Sequence, residues 1–225
     1  DIKGASLYSI DRATNSPFHN KKIGTNVHKY FPQLENIWTL YTNGTVAQFI
    51  EKIGSEIDFV FLDSAHVTPG ELLDFLMILP FLKEKAVISF DDLLIQFDKF
   101  YGISHQYNMK RINFCNILLY TYLQGHKFLP RSDNKTVGFS KLVGLELYPK
   151  QQRFLFNYFM ALFTYWEYIP NEEDLVKIRN LFSKYYEPKY LQIYDEAVKY
   201  NIEFNKRYPM HPVLKTYNDR FHKLR

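Results

Sequence analysis

A chain of 225 residues, 46% hydrophobic and 23% charged, carries enough apolar side chains for a sizeable core, which excludes wholesale disorder and suits one α/β domain with a helical appendix. Its formal net charge of +4 comes from 28 basic and 24 acidic residues spread along the chain, with no block of five like charges, so no nucleic-acid surface is expected. The single cysteine, Cys115, excludes an internal disulfide framework and fits a reducing compartment; with no secretory signal pattern at the start, the expected location is cytoplasmic.

In chain order, Ala5–Ile10 reads as a short strand closed by Asp11-Arg12. An acidic residue ending an early strand of a nucleotide-binding sheet commonly accepts hydrogen bonds from ribose hydroxyls, although turns favour Asp in any case. Thr14–Phe31 is polar, with Pro17 and Gly24, and suggests a broken helix. Ile37–Tyr41 is the next strand, closed by the turn pair Asn43-Gly44, after which Thr45 caps a helix running to Ile53.

The stretch from Ile57 to Asp92 is the most informative. Ile57–Leu62 is an apolar run suited to a strand buried on both faces, and it stops abruptly on Asp63-Ser64, with His66 close behind. Thr68-Pro69-Gly70-Glu71 has the pattern of a helix start, with Thr68 as N-cap, Pro69 at N1 and Glu71 as the capping carboxylate. Glu71–Glu84 reads as a helix that is apolar on nearly every face, followed by a second buried strand, Ala86–Phe90, ending on Asp91-Asp92. A β-α-β unit of this kind has parallel strands and a right-handed crossover. Asp63, His66, Asp91 and Asp92 therefore converge on the carboxyl edge of the sheet, where open α/β folds hold their ligands.

Beyond Asp92, Leu93–Asn108 reads either as a lid over that edge or as an ordinary connection. Arg111–Gln124 is expected to be a helix stopped by Gly125, and Lys127–Arg131 and Thr136–Leu147 an antiparallel pair joined through Ser132-Asp133-Asn134-Lys135. From Pro149 onward the pattern is helical. Gln151–Tyr168 is densely aromatic but well short of the roughly 20 apolar residues that a bilayer span needs, so it packs on the domain or on another subunit. Asn171 caps a further helix with Asp174 at the capping-box position, and Tyr190–Tyr208 forms the next. The expected division is an α/β domain over residues 1–148 and a helical extension over 149–225.

The succession of a strand ending on Asp11, a strand before Asn43-Gly44, IDFVFLDSAH, a crossover helix, KAVISFDD, a helix and a closing hairpin resembles class I S-adenosylmethionine-dependent methyltransferases. It looks most like their metal-dependent sugar O-methyltransferase group. The resemblance implies a Rossmann-like, mostly parallel sheet with a C-terminal antiparallel hairpin, and S-adenosylmethionine as cofactor. It implies donor contacts from Asp11, Asn43, Gly44, Thr45, Asp63 and Ser64, and Mg²⁺ or another divalent cation on Asp63, Asp91 and Asp92. His66 and Asp63 take the catalytic roles, and the acceptor is a saccharide or other small hydroxyl compound, with no nucleic acid and no membrane span. A homo-oligomer through the aromatic C-terminal helices is also open.

The chemistry suits those residues. A neutral alcohol is a poor nucleophile; a hard cation held by carboxylates lowers the pKa of a bound hydroxyl, and an imidazole can take its proton. The plainer alternatives are that Asp91-Asp92 caps a helix and that His66 braces a turn. One departure stands out: the glycine-rich loop and the strand before it have no counterpart, so a central strand is expected to lie outside this sequence, or the neighbouring strands to close up. The alternative function is a non-catalytic binding or assembly protein that keeps the methyltransferase architecture.

Overall fold

The computed structural model describes residues 4–16, 21–64, 67–91, 115–128 and 143–208. Strand β1 (Leu7–Asp11) is followed by the short helix α1 (Thr25–Tyr30), strand β2 (Trp38–Thr42) and helix α2 (Val46–Ile53). Strand β3 (Ile57–Leu62), helix α3 (Gly70–Ile78) and strand β4 (Leu82–Phe90) make the central unit. Helix α4 (Cys115–Tyr122) and strands β5 (Gly125–Phe128) and β6 (Val143–Leu147) complete the α/β part. Helices α5 (Leu155–Met160), α6 (Glu172–Tyr185) and α7 (Pro188–Arg207) form the extension.

The strands form two sheets. β1 and β2 pair in parallel, and a four-stranded sheet has the order β3-β4-β6-β5, parallel between β3 and β4 and antiparallel elsewhere. The mixed parallel and antiparallel character is that of the expected fold class. The order of the two sheets follows from the faces of β2. Trp38 meets His28 of α1, with ring centroids 5.5 Å apart, whereas Tyr41 stacks on Phe49 of α2 at 4.7 Å. Positions 38 and 41 point to opposite faces of a strand, so α1 and α2 cover opposite faces. Right-handed crossovers on opposite faces run in opposite directions, which carries the chain from β2 back past β1 to β3. Helix α2 packs on both β1 and α3, as this path requires. β3 therefore lies on the β1 side of the first sheet, and among the described residues neither β1 nor β3 pairs with the other.

The helix expected over 71–84 ends six residues early. Pro80 has no N–H to donate, the chain tightens into a 3₁₀ turn over Leu79–Phe81, and Lys83, Glu84 and Lys85 join a longer β4. Thr68 does not cap α3: Pro69 holds the N-cap position, and the Thr68 hydroxyl donates to the Tyr165 carbonyl (2.5 Å) instead. Gly125 opens β5 rather than merely stopping a helix, because its own backbone pairs with Leu147. The aromatic stretch 151–168 breaks into a 3₁₀ turn, α5 and a second 3₁₀ turn over Ala161–Phe163. Its terminal Trp166 is buried, with Nε1–H donating to the Leu162 carbonyl. Asn171 does cap α6, its Oδ1 accepting from the Asp174 N–H at 2.8 Å. β1 begins two residues later than expected, and among the described residues the polar stretch 14–31 contributes the six-residue α1 and a bridge between Asn15 and Lys22. The expected lid, the front of the helix before Gly125 and the hairpin turn lie outside the described residues.

One apolar core runs through both parts of the chain. Leu62, Phe75, Ile88 and Phe90 belong to the same cluster as Phe159, Trp166, Phe182 and Tyr194. Phe159 meets Phe182, Tyr186 and Tyr190 at 5.4, 5.0 and 5.1 Å, and the Tyr186 hydroxyl donates to the Leu76 carbonyl. This accounts for much of the aromatic content: the rings join the extension to α3. The opposite face of the four-stranded sheet is more open, with Phe59 54% and Phe61 49% exposed. Because the core is shared, Phe182→Ala is expected to cost about 3–5 kcal/mol. Urea unfolding followed by far-ultraviolet circular dichroism should show one transition at a lower midpoint, not separate loss of the extension.

Candidate functional site

Reversal of strand order between β1 and β3 creates a topological switch point, and the carboxyl ends of those strands form its rim. On the first side, Asp11 ends β1 and its Oδ1 accepts the Ala13 N–H at 2.7 Å, which folds the chain back at the strand end. The next residue, Arg12, reaches the extension, its Nη2 lying 2.5 Å from Asp174 Oδ2. Asn43 takes a left-handed φ of 60° after β2. Gly44 is buried beneath α2, and a Cβ there would stand 2.3 Å from Gln48 Oε1 and 2.5 Å from the Phe49 ring, so the backbone approaches in a way only glycine permits. Thr45 is held where α2 begins, its N–H donating to Gln48 Oε1 at 2.8 Å.

On the second side, Leu62 and Phe90 are register partners on the paired strands β3 and β4, and the Asp91 N–H continues the ladder to the Leu62 carbonyl at 3.0 Å. Asp63 and Asp91 therefore leave adjacent strand ends together. The Asp91 carbonyl is fixed by the buried Asn116 of α4, whose Nδ2 donates to it at 2.8 Å. The structure thus brings Asp63 and Asp91 to one edge and Asp11, Asn43, Gly44 and Thr45 to the ends of β1 and β2. His66 and Asp92 lie outside the described residues. Among the described residues no group of three His, Cys, Asp or Glu side chains stands ready to hold a metal ion. The two carboxylates on neighbouring strand ends are oxygen donors, the ligand type that Mg²⁺ prefers.

Asp74 was not singled out by the sequence reading. It lies one turn into α3, half-buried, and Ser64 Oγ donates to its Oδ2 at 2.6 Å. Burial pushes the Asp74 carboxyl up to about 6, against the opposing effects of the Ser64 hydrogen bond and the Arg12 charge. That influence of Arg12 links the two sides of the switch point. Tyr168, from the loop before α6, belongs to the same cluster: burial holds its hydroxyl well above the usual phenol range, reinforced by Asp74, Cys115 and Glu71. The Cys115 thiol is also raised, by burial first and then by the Glu71 charge, which leaves it an inert core group. The signal available in the sequence was a lone acid inside the apolar run LLDFLM.

Comparison with known proteins bears on the same region. Residues 2–93, which contain β1 to β4 and both sides of the rim, match the family model of a methyltransferase domain. No curated protein and no solved structure matches the chain. A methyltransferase domain implies S-adenosylmethionine as donor, and a glycine-floored backbone beside carboxylates at a switch point is a setting that fits it. No helix among the described residues is long and apolar enough to cross a membrane.

Two substitutions check this geometry. Gly44→Ala should displace Gln48 from the Thr45 N–H and lower stability by about 1–3 kcal/mol in a denaturant titration. Asp74 carries a folded-state pKa of about 6, above its ordinary 3.8. Its contribution favours the native state below the ordinary value and is lost as pH rises through 6. Asp74→Asn should therefore gain stability relative to the parent between pH 4 and pH 7.5, by on the order of 2 kcal/mol. Parallel urea titrations at the two pH values measure it.

Proposed function

We propose that this protein is an S-adenosylmethionine-dependent O-methyltransferase, assisted by a divalent cation and acting on a hydroxyl of a sugar or sugar-derived acceptor. The observation that carries the reading is the placement of Asp11 on one side of the switch point and Asp63 with Asp91, on adjacent strand ends, on the other. The methyltransferase-domain match over residues 2–93 supports the same reaction class.

In this reading Asp11 accepts hydrogen bonds from the ribose hydroxyls of the donor. The Asn43-Gly44-Thr45 turn lets backbone approach the adenine, and Ser64 lies beside the donor on the far rim. Methyl transfer forms a C–O bond to the acceptor while the S–CH₃ bond breaks, its electron pair staying on sulfur, and the acceptor hydroxyl gives up its proton. Asp63, Asp91 and Asp92 are the carboxylates that would hold a cation, which when bound lowers the pKa of the acceptor hydroxyl. His66 is assigned to take the released proton, a role to which imidazole chemistry is suited.

Calorimetry of the protein with S-adenosylhomocysteine tests the reading. Binding is expected, and Asp11→Ala should weaken it by about 10- to 100-fold, the worth of hydrogen bonds to a charged acceptor. No heat of binding at millimolar ligand would instead favour a non-catalytic binding or assembly protein of the same architecture.

A further inference from the structure

Helix α7 divides its surface by periodicity. One side, with Tyr190, Tyr194, Ala197 and Asn201, is buried in the shared core. Beside it runs a row of partly exposed rings. Tyr200 is 44% exposed and its ring centroid lies 6.1 Å from that of Phe163. Phe204 meets Tyr200 at 5.9 Å and Tyr165 at 5.2 Å. Helix α5 widens the patch. Phe156, 57% exposed, and Met160 stand one turn apart on its outer side, just before the 3₁₀ turn that carries Phe163. Both α5 and that turn pack on α7. Phe156, Met160, Phe163, Tyr200 and Phe204 thus make an apolar surface of the aromatic and methionine side chains that form the centres of protein interfaces.

The charges beside this patch decide what it fits. Glu196 and Arg207 are both exposed and about three turns apart, so they stand on one flank of α7, with Tyr200 and Phe204 between them along the axis. Gln192 Nε2 donates to Glu196 Oε1 at 2.8 Å and steadies the acid on that flank. A membrane surface or a nucleic acid would call for one sign of charge around the rings. Here the exposed acids Glu196 and Glu203 alternate with Lys199, Lys206 and Arg207. An acid at one end, a base at the other and rings between them form a pattern that complements itself when reversed. Two α7 helices laid antiparallel, with the two-fold axis crossing between Asn201 and Ile202, bring Glu196 of each copy level with Arg207 of the other. The same register sets Tyr200 of one copy within a turn of Phe204 of the other.

We propose that this face is a dimer interface, in which α7 pairs antiparallel with α7 of a second copy of the chain through the Tyr200–Phe204 row, closed at both ends by Glu196 and Arg207. The contact is isologous, so each interaction occurs twice. The inference does not depend on the donor assignment. The matched stretch covers about 16 Å of helix, which puts the contact at the small end of specific interfaces and the association in the micromolar range.

Sedimentation velocity of the whole chain across micromolar concentrations is the test, and a monomer–dimer equilibrium is expected. Glu196→Arg and Arg207→Glu each set like charges against one another at both ends. Each should weaken the dimer by about 10- to 100-fold, the scale of turning two exposed attractions into repulsions, with the far-ultraviolet circular dichroism unchanged. An equimolar mixture of the two variants again sets acid against base at both ends and should recover the parent affinity as a heterodimer. Pairing of these charges within one helix could not produce that recovery. Tyr200→Ser, which removes the central ring, should weaken the dimer by about tenfold or more. A parent that stays monomeric overturns the proposal and leaves the patch to a different partner. A dimer that the two charge variants leave intact, or a mixture that fails to recover it, overturns it as well.

Discussion

The inner edges of β1 and β3 are the constraint around which the molecule is arranged, because among the described residues the strands form two sheets and neither of these edges pairs with the other. Other elements must therefore hold the two sheets in register. Helix α2 is one, packing on β1 from one side and on α3 from the other. The segment from Tyr165 through the first turn of α6 is the second. Its Tyr165 carbonyl accepts the Thr68 hydroxyl, its Glu167 N–H donates to the Thr68 carbonyl at 2.9 Å, and its far end meets Arg12 beyond β1. The same segment thus touches the start of α3 and the end of β1. Lys184 and Tyr185 of α6 add a more exposed tie to Glu51 of α2, whose carboxyl is lowered by those bonds.

This arrangement gives the helical extension a structural purpose. Trp166, Phe159 and Phe182 are buried in the same cluster as Leu76 and Phe75, and the hydrogen bonds of Asn201 to the Trp166 N–H and the Leu162 carbonyl fix the loop that reaches the cleft. Tyr158 is satisfied in the same economical way. Its hydroxyl donates to Gln151 Oε1 at 2.5 Å and accepts the Gln124 N–H at 3.2 Å, and burial pushes its pKa up to about 12. Buried tyrosine and asparagine groups are tolerable only when partnered, and here the partners lie in segments far apart in sequence. The extension is therefore held to the α/β part by directional bonds as well as by apolar area.

Much of the central unit was legible because local signals and tertiary demands agree there. The apolar runs before Asp63 and Asp91 could form little else than strands, and Asn171 with Asp174 makes a cap whose two partners are neighbours in sequence. Legibility failed where a residue served a distant partner. Thr68 has the right identity and spacing for an N-cap, but its hydroxyl is taken by a carbonyl 97 positions away. Pro80 was present in the sequence, yet the strong apolar pattern around it outweighed its missing N–H in the reading of the helix. Asp74 looked like an interruption in an apolar helix, since neither Ser64 nor Arg12 lies at helical spacing from it. For the candidate site, the strand-end acids Asp11, Asp63 and Asp91 were visible as a pattern. The cross-cleft cluster was not, because it depends on how the two sheets face each other.

The open edge and the candidate site are two aspects of one feature. A ligand cleft in an α/β sheet arises where consecutive connections leave in opposite directions, and that reversal falls between β1 and β3. The interruption in pairing falls at the same place. Backbone groups there gain less from a ladder, so the side chains that gather around them contribute more to local order. Asp11 folding onto Ala13, Asp91 extending the β3–β4 ladder, and Ser64 bonding Asp74 all act at this point. Each is a polar interaction where a continuous sheet would rely on strand pairing. A carboxylate-rich rim held in this way remains electrostatically responsive, because a charge introduced into the cleft alters groups that also order its walls.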